Sequence, residues 1–256
     1  MKVTLTGLIR DAWQYWRRDT ELLIAIAGLF VFLPALALFM LVPGLPHMPD
    51  SVDPAVPATM IPYQRLVAAW ILQYGPWILG AQLLSFYGQF AIVAMYLSGA
   101  RPAVGSALVA ALRRLPVLLL ASFVVAVPLV IVMTLFALAP VLLPGFVIAT
   151  TIVAGRALLI MPVIHAESPI GAFAATGRSF RLTHGSTLML AAGVLTVYLG
   201  IQLIAWPFAA LDGWMASAAN VIARTIVDSF EAAIVALGNI AMALLAVSAY
   251  RRLSSS

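Results

Sequence analysis

Arg156 is the residue with the most chemistry to offer, because it is a charge inside an apolar run. An arginine at mid-span costs about 2.5–3.5 kcal/mol, less when its long side chain reaches the interface. By helix rise it lies roughly 12 Å from the end of that run. Two readings follow: Arg156 holds an anion or lipid phosphate inside a helix bundle, or it snorkels or pairs for structural reasons. A second polar set lies at helical spacing elsewhere, with Gln82, Ser85 and Gln89 at i, i+3 and i+7, and Gln202 and Asn239 in later runs. Hydrogen bonding between helices accounts for such groups, with Gly80 and Gly88 permitting close approach, and a substrate path is the competing account. Asp228 and Glu231, about one turn apart, suit the start of a helix and its dipole.

Several chemistries are absent from the pattern. His47, His165 and His184 fall in different segments, and no His/carboxylate spacing of the metal-site type occurs. Cysteine is missing altogether, which excludes disulfides and thiolate ligands. There is no nucleophile elbow, phosphate loop or dinucleotide fingerprint, and no paired acid and nucleophile. No enzymatic centre, metal or cofactor is therefore expected.

The elements that must hold these groups follow from composition. Of 256 residues, 64% are hydrophobic and 9% charged, against roughly a quarter charged in a soluble domain. A spanning helix needs about 20 apolar residues, and six such runs can be drawn, at 22–42, 77–97, 116–138, 141–164, 187–206 and 227–248. None alternates like a membrane barrel strand, so the fold class is all-α and polytopic. The third and fourth runs meet at Ala139 and Pro140, which predicts a tight hairpin. The N-terminal stretch is charged and lacks a clean cleavage site, so the first run is read as a retained helix.

Charge supplies the orientation. With the N-terminus in the cytoplasm, Lys2, Arg10, Arg17, Arg18, Arg101, Arg113, Arg114, Arg178, Arg181, Arg251 and Arg252 share that side, and only Arg65 and Arg224 face the other. The positive-inside rule then predicts both termini in the cytoplasm of a bacterial inner membrane. The net charge of +5 is read as topology signal and attraction to anionic headgroups, not as nucleic-acid binding, because no dense basic tract occurs. The expected partners are membrane lipids and other proteins within the membrane. On the opposite side, 43–65 is rich in proline and carries Asp50 and Asp53, so an irregular connection is expected. Residues 66–75, with Trp70 and Tyr74, are expected to lie along that interface, as is a turn at 211–226 with an Arg224–Asp228 pair.

Three amphipathic segments precede spans, at 3–18, 102–115 and 168–183, each with apolar residues at helical period. They divide the chain into three helix-hairpin units, 1–98, 99–165 and 166–256, a pseudo-threefold repeat. Internal symmetry of this kind occurs in transporters and in proteins that duplicated a packing unit.

The stretch 156–185, RALLIMPVIHAESPIGAFAATGRSFRLTHG, resembles the signature of the membrane domain attached to some glycerophosphoryl diester phosphodiesterases. It is also similar to the related stand-alone YciC-like family of bacterial inner-membrane proteins. The matching features are Arg156 in the span, Pro162 near its end, Glu167 before a small-residue turn, and the ending formed by Arg178, Ser179, Leu182, Thr183 and Gly185. In the enzymes it resembles, catalysis belongs to a separate barrel domain with no counterpart in this chain. Ser168 is placed to cap the interfacial helix with Pro169 in its first turn. Glu167 is placed to accept from arginines, and Gly185 to let the chain turn into the next span. Arg156, Glu167, Arg178, Ser179, Arg181 and Thr183 thus form either a structural hinge or a headgroup site. The function expected is a membrane scaffold or accessory module linked to lipid or envelope homeostasis. The alternative is a small transporter or lipid-handling protein, which requires a continuous polar cavity lined by Arg156, Gln82 and Gln89.

Overall fold

A computed structural model of the chain describes residues 4–49, 57–99, 104–137, 143–215 and 221–255. An amphipathic helix α1 (Leu5–Arg18) leads into a first span made of α2 (Thr20–Ala27), a π-helical turn (Gly28–Phe32) and α3 (Leu33–Leu41). Then come α4 (Pro57–Leu97), α5 (Val104–Ala137), α6 (Leu143–Ala157), α7 (Ile160–Ala166), α8 (Ala172–Leu182), a 3-10 turn (His184–Ser186), α9 (Thr187–Met215) and α10 (Val221–Ser254). Six stretches are long and apolar enough to cross a membrane: Thr20–Leu41, Met60–Leu97, Val104–Met133, Pro144–Ala166, His184–Phe208 and Ile222–Ser254. Among the described residues there is no strand. The chain is an all-α, multi-pass membrane protein.

Prolines set where the spans break. Pro34 has no amide to donate, and the turn before it is widened so that the Leu33 amide reaches back five residues to the Gly28 carbonyl. Pro162 would drive its ring into the carbonyl four residues earlier in a continuous helix. The fourth span instead gives way at Leu158–Leu159 and restarts as α7, with Pro162 in the first turn where no donor is needed. By contrast α4 and α5 run unbroken through Pro62, Pro76, Pro116 and Pro128.

That continuity corrects three expectations. Residues 66–75 do not form a separate interfacial segment but belong to α4, whose 41 residues extend about 60 Å. The second amphipathic segment is the opening of α5 and runs straight into the third span, whereas α1 and α8 stop before theirs. The stretch 211–226 likewise belongs to the ends of α9 and α10, with residues 216–220 outside the described part. The Ala139–Pro140 hairpin, Asp50, Asp53, Lys2 and Arg101 also lie outside the described residues. Residues 43–49 are irregular as expected, running back along α4: Trp70 donates to the Pro43 carbonyl at 3.0 Å and Tyr63 to the Pro46 carbonyl at 3.2 Å.

The helices pack most closely at one end of the bundle, where the basic residues gather. Leu8, Leu23, Phe90, Leu159, Ile164, Leu190 and Leu244 are all fully buried there. Several close approaches depend on glycine, among them Gly238 of α10 beneath the Ile201 side chain of α9. A Cβ at Gly155 of α6 would lie 2.6 Å from the Ala191 amide nitrogen of α9, and one at Gly88 of α4 would lie 2.7 Å from Phe30 Cβ. Gly80, expected to do the same, has nothing within 4 Å. Toward the other end, Phe123, Val130 and Met133 of α5 and Leu203 and Trp206 of α9 are exposed.

Candidate functional site

The break at Leu158–Leu159 builds the region around Arg156. Arg156 falls in the last turn of α6, where its positive charge opposes the negative end of the helix dipole. Carbonyls in a last helical turn lack intrahelical donors, and the Arg156 carbonyl instead accepts from Ser179 Oγ of α8 at 2.5 Å. Ser179 is fully buried, so this bond fixes α8 against α6. The Arg156 guanidinium carbon lies 5.9 Å from the centre of the Phe180 ring, a cation–π contact. Its Nε is buried without a hydrogen-bond partner among the described residues.

Glu167 follows α7, and both its carboxylate oxygens accept from Arg178 Nε, at 3.0 and 3.1 Å. Tyr250 of α10 approaches the same carboxylate at 3.5 Å. The pair is partly open to solvent, with 41% and 28% of the two side chains exposed, so it is worth at most about 1 kcal/mol. Thr183 is buried and donates back to the Ser179 carbonyl at 2.9 Å, and Thr187 repeats this bond to Thr183 at 2.9 Å. Arg181 is exposed on the outer side of α8. The structure thus brings Arg156, Glu167, Arg178, Ser179 and Thr183 into one junction and leaves Arg181 at its rim.

One detail of that junction differs from the expectation. Ser168 does not cap α8: the helix begins at Ala172, its cap residue is Gly171, and no side chain bonds the first amides. The chain turns into α9 through the 3-10 turn that contains Gly185.

The intramembrane polar set resolves into one pair. Gln89 Nε2 of α4 donates to Asn239 Oδ1 of α10, and Asn239 Nδ2 donates to the Val235 carbonyl at 2.7 Å. Both sit well inside their spans, Gln89 about 12 Å from the end of α4. Gln82 and Gln202 are exposed on the bundle surface and Ser85 is half-buried, and none of the three is hydrogen-bonded among the described residues. Asp228 and Glu231 lie two to three turns inside α10, beyond the reach of its N-terminal dipole. Asp228 is 5% exposed and, with Arg224 and Thr225, lines a 350 Å³ recess against Phe39–Pro43.

A further group of tied residues escaped the sequence reading. Arg252 of α10 grips Asp11 of α1 at 2.6 Å, and Ser248 donates to the Leu8 carbonyl at 3.2 Å. Arg251 donates to Tyr15 Oη at 3.0 Å and to the Tyr96 carbonyl, while Tyr96 donates to Asp19 at 2.8 Å. Ser98 and His165 share a hydrogen bond of 2.8 Å. The Arg252 guanidinium holds the Asp11 carboxyl below the usual carboxylate range. The only advance signal was Asp11 on an amphipathic helix, because its partner lies 241 residues away.

Among the described residues no three His, Cys, Asp or Glu side chains gather as metal ligands. No family model, curated protein or solved structure matches the chain.

Proposed function

We propose that this chain is a non-catalytic membrane module, a scaffold or accessory subunit that works beside other proteins in a bacterial cytoplasmic membrane. Both termini lie on the cytoplasmic side, as the arginine distribution favours. One observation carries the reading: the half-buried amides Gln89 and Asn239 are joined by a hydrogen bond across α4 and α10, and the Asn239 amide donates back to its own helix. Gln82 is exposed two turns away along α4 and Arg156 lies at a different junction, so the three residues that a transport path requires do not meet. The resemblance of the 156–185 stretch to membrane domains appended to phosphodiesterases supports an accessory role in lipid or envelope homeostasis.

Replacing Gln89 and Asn239 together by leucine tests this. A scaffold tolerates the double variant, which accumulates and supports cell-envelope integrity as the parent does. Normal accumulation with loss of a solute-dependent phenotype overturns the reading in favour of a path. Reporter fusions at His47 and Ser255 test the orientation, with activity expected outside the cell only for the first.

A second reading rests on the Arg156 guanidinium, which lies beside Phe180 and whose Nε has no hydrogen-bond partner among the described residues. In it, Arg156 contacts a lipid headgroup at the interface. Arg156→Leu then folds normally and loses a retained anionic lipid in native mass spectrometry, whereas failure to accumulate marks the residue as structural.

A further inference from the structure

The amphipathic helix α1 is pinned along one side only. Leu8, Asp11 and Tyr15, which share a face, are tied to the end of α10 by Ser248, Arg252 and Arg251. The neighbouring flank, Ile9, Trp13 and Trp16, overhangs a floor of Val197, Leu237 and Ala241 without closing on it, leaving an apolar groove of 460 Å³. Leu237 lies four residues deeper than Ala241 on α10, so the groove descends into the bundle side along the span. Trp13 is 58% exposed at its mouth.

Charge marks the rim of the same groove. Arg10, Trp13 and Arg17 fall at i, i+3 and i+7, one stripe of α1, with both arginines exposed. Neither makes an ion pair or hydrogen bond among the described residues. The acids on α1 and beside it are already engaged: Asp11 by Arg252, and Asp19 by Arg18 and Tyr96. Glu21, exposed at the start of α2, pairs with neither arginine. Arg10 lies within electrostatic range of Asp11 but does not touch it, so two guanidinium groups without a direct protein partner among the described residues stand about 10 Å apart along the helix axis, above an apolar trench.

We propose that this face seats one anionic phospholipid, with an acyl chain in the groove beneath Trp13 and its phosphate between Arg10 and Arg17. An interfacial helix binds lipid through apolar burial plus attraction to anionic headgroups, and both components meet at this one place. The seat is independent of whether the protein is a scaffold or a transporter, since it uses neither Arg156 nor the Gln89–Asn239 pair.

Native mass spectrometry of the detergent-purified full chain, given equal amounts of dioleoyl phosphatidylglycerol and dioleoyl phosphatidylcholine, tests the proposal. The parent retains one phosphatidylglycerol in preference to phosphatidylcholine, by about fivefold per arginine and about thirtyfold in all. The Arg10→Gln, Arg17→Gln double variant binds the two lipids nearly equally while keeping its melting temperature. Ala241→Leu fills the groove and abolishes retention of that single lipid whatever its headgroup. Should Ala241→Leu prevent folding, Val197→Leu replaces it with the same expected loss. An unchanged preference in the double arginine variant overturns the proposal. So does undiminished retention in a folded groove-filled variant, or equal competition by glycerol phosphate, which has no chain to bury.

Discussion

At the basic end of the bundle, side chains cross from element to element, whereas toward the proline-rich end the helices turn more apolar surface outward. The difference has a physical source. Lipid tails are as apolar as leucine, so burying leucine against leucine gives helices little reason to associate inside a bilayer. Close backbone approach and interhelical hydrogen bonds do. Gly155 against Ala191, Gly88 against Phe30, Ser179 on the Arg156 carbonyl and the Asp11–Arg252 pair all lie on the basic side or near it. The opposite half of α5, from Phe123 to Met133, is exposed along most of its surface. What holds this protein together is thus the placement of a few small and polar residues, not its total hydrophobicity.

Substitutions matched across the two regions break or sharpen that contrast. The largest effect is expected at Gly155→Leu, which forces α6 off the Ala191 backbone. It should cost about 3 kcal/mol or more in denaturant unfolding from micelles. Gly200→Leu, with nothing within 4 Å, should change stability by less than about 0.5 kcal/mol. Equal losses at the two glycines would remove the contrast altogether. Next comes Asn239→Leu, which strands Gln89 and should cost about 1–2 kcal/mol, against no measurable loss for Gln202→Leu on the exposed face of α9. Ser179→Ala removes the bond to the Arg156 carbonyl and should cost about 1 kcal/mol in the same assay.

The smallest effect is one of pH. Asp11 titrates below its unfolded value near 3.8 because Arg252 stabilises its charged form. Its contribution is therefore complete above that value and is lost as pH falls through the depressed one. Thermal unfolding of the parent and Asp11→Asn should differ slightly at pH 6, by less than about 1 kcal/mol, and converge as pH falls through the depressed value. A gap that persists once the Asp11 carboxyl is protonated would show that its charge is not what joins α1 to α10.

The spans were legible from composition because a bilayer admits almost no other use for six long apolar runs. Their continuity was harder to read. Residues 66–75 and 102–115 were read as segments separate from the spans that follow, yet α4 and α5 pass through Pro76 and Pro116 without a break. Pro162 lies in a run that looked continuous, and there the helix does break. Proline removes a bond and crowds the preceding turn in every case, and tertiary contacts decide whether the helix bends or stops. At the candidate site, Glu167 meeting Arg178 followed from short spacing and charge. The Ser179–Arg156 bond did not, because it uses a backbone carbonyl freed only by the break. Gln89 and Asn239 were recognised as polar residues in apolar runs, but nothing in the spacing separated that pair from Gln82 and Gln202, which the bundle leaves on its surface. Tyr15 and Tyr96 carry no charge or motif that singles them out in the sequence, and their shared partner Arg251 lies 155 residues or more further along.

The tie between Asp11 and Arg252 also dictates an order of events during synthesis. The two residues are separated by 241 positions, so at roughly 5–20 residues per second the ribosome delivers the second about 10–50 s after the first. Throughout that interval α1 has neither its ionic mate nor the Ser248 hydroxyl to rest against. Its tryptophans and arginines make it suited to wait on the membrane surface, and the finished bundle forms only when the last helix arrives to claim it.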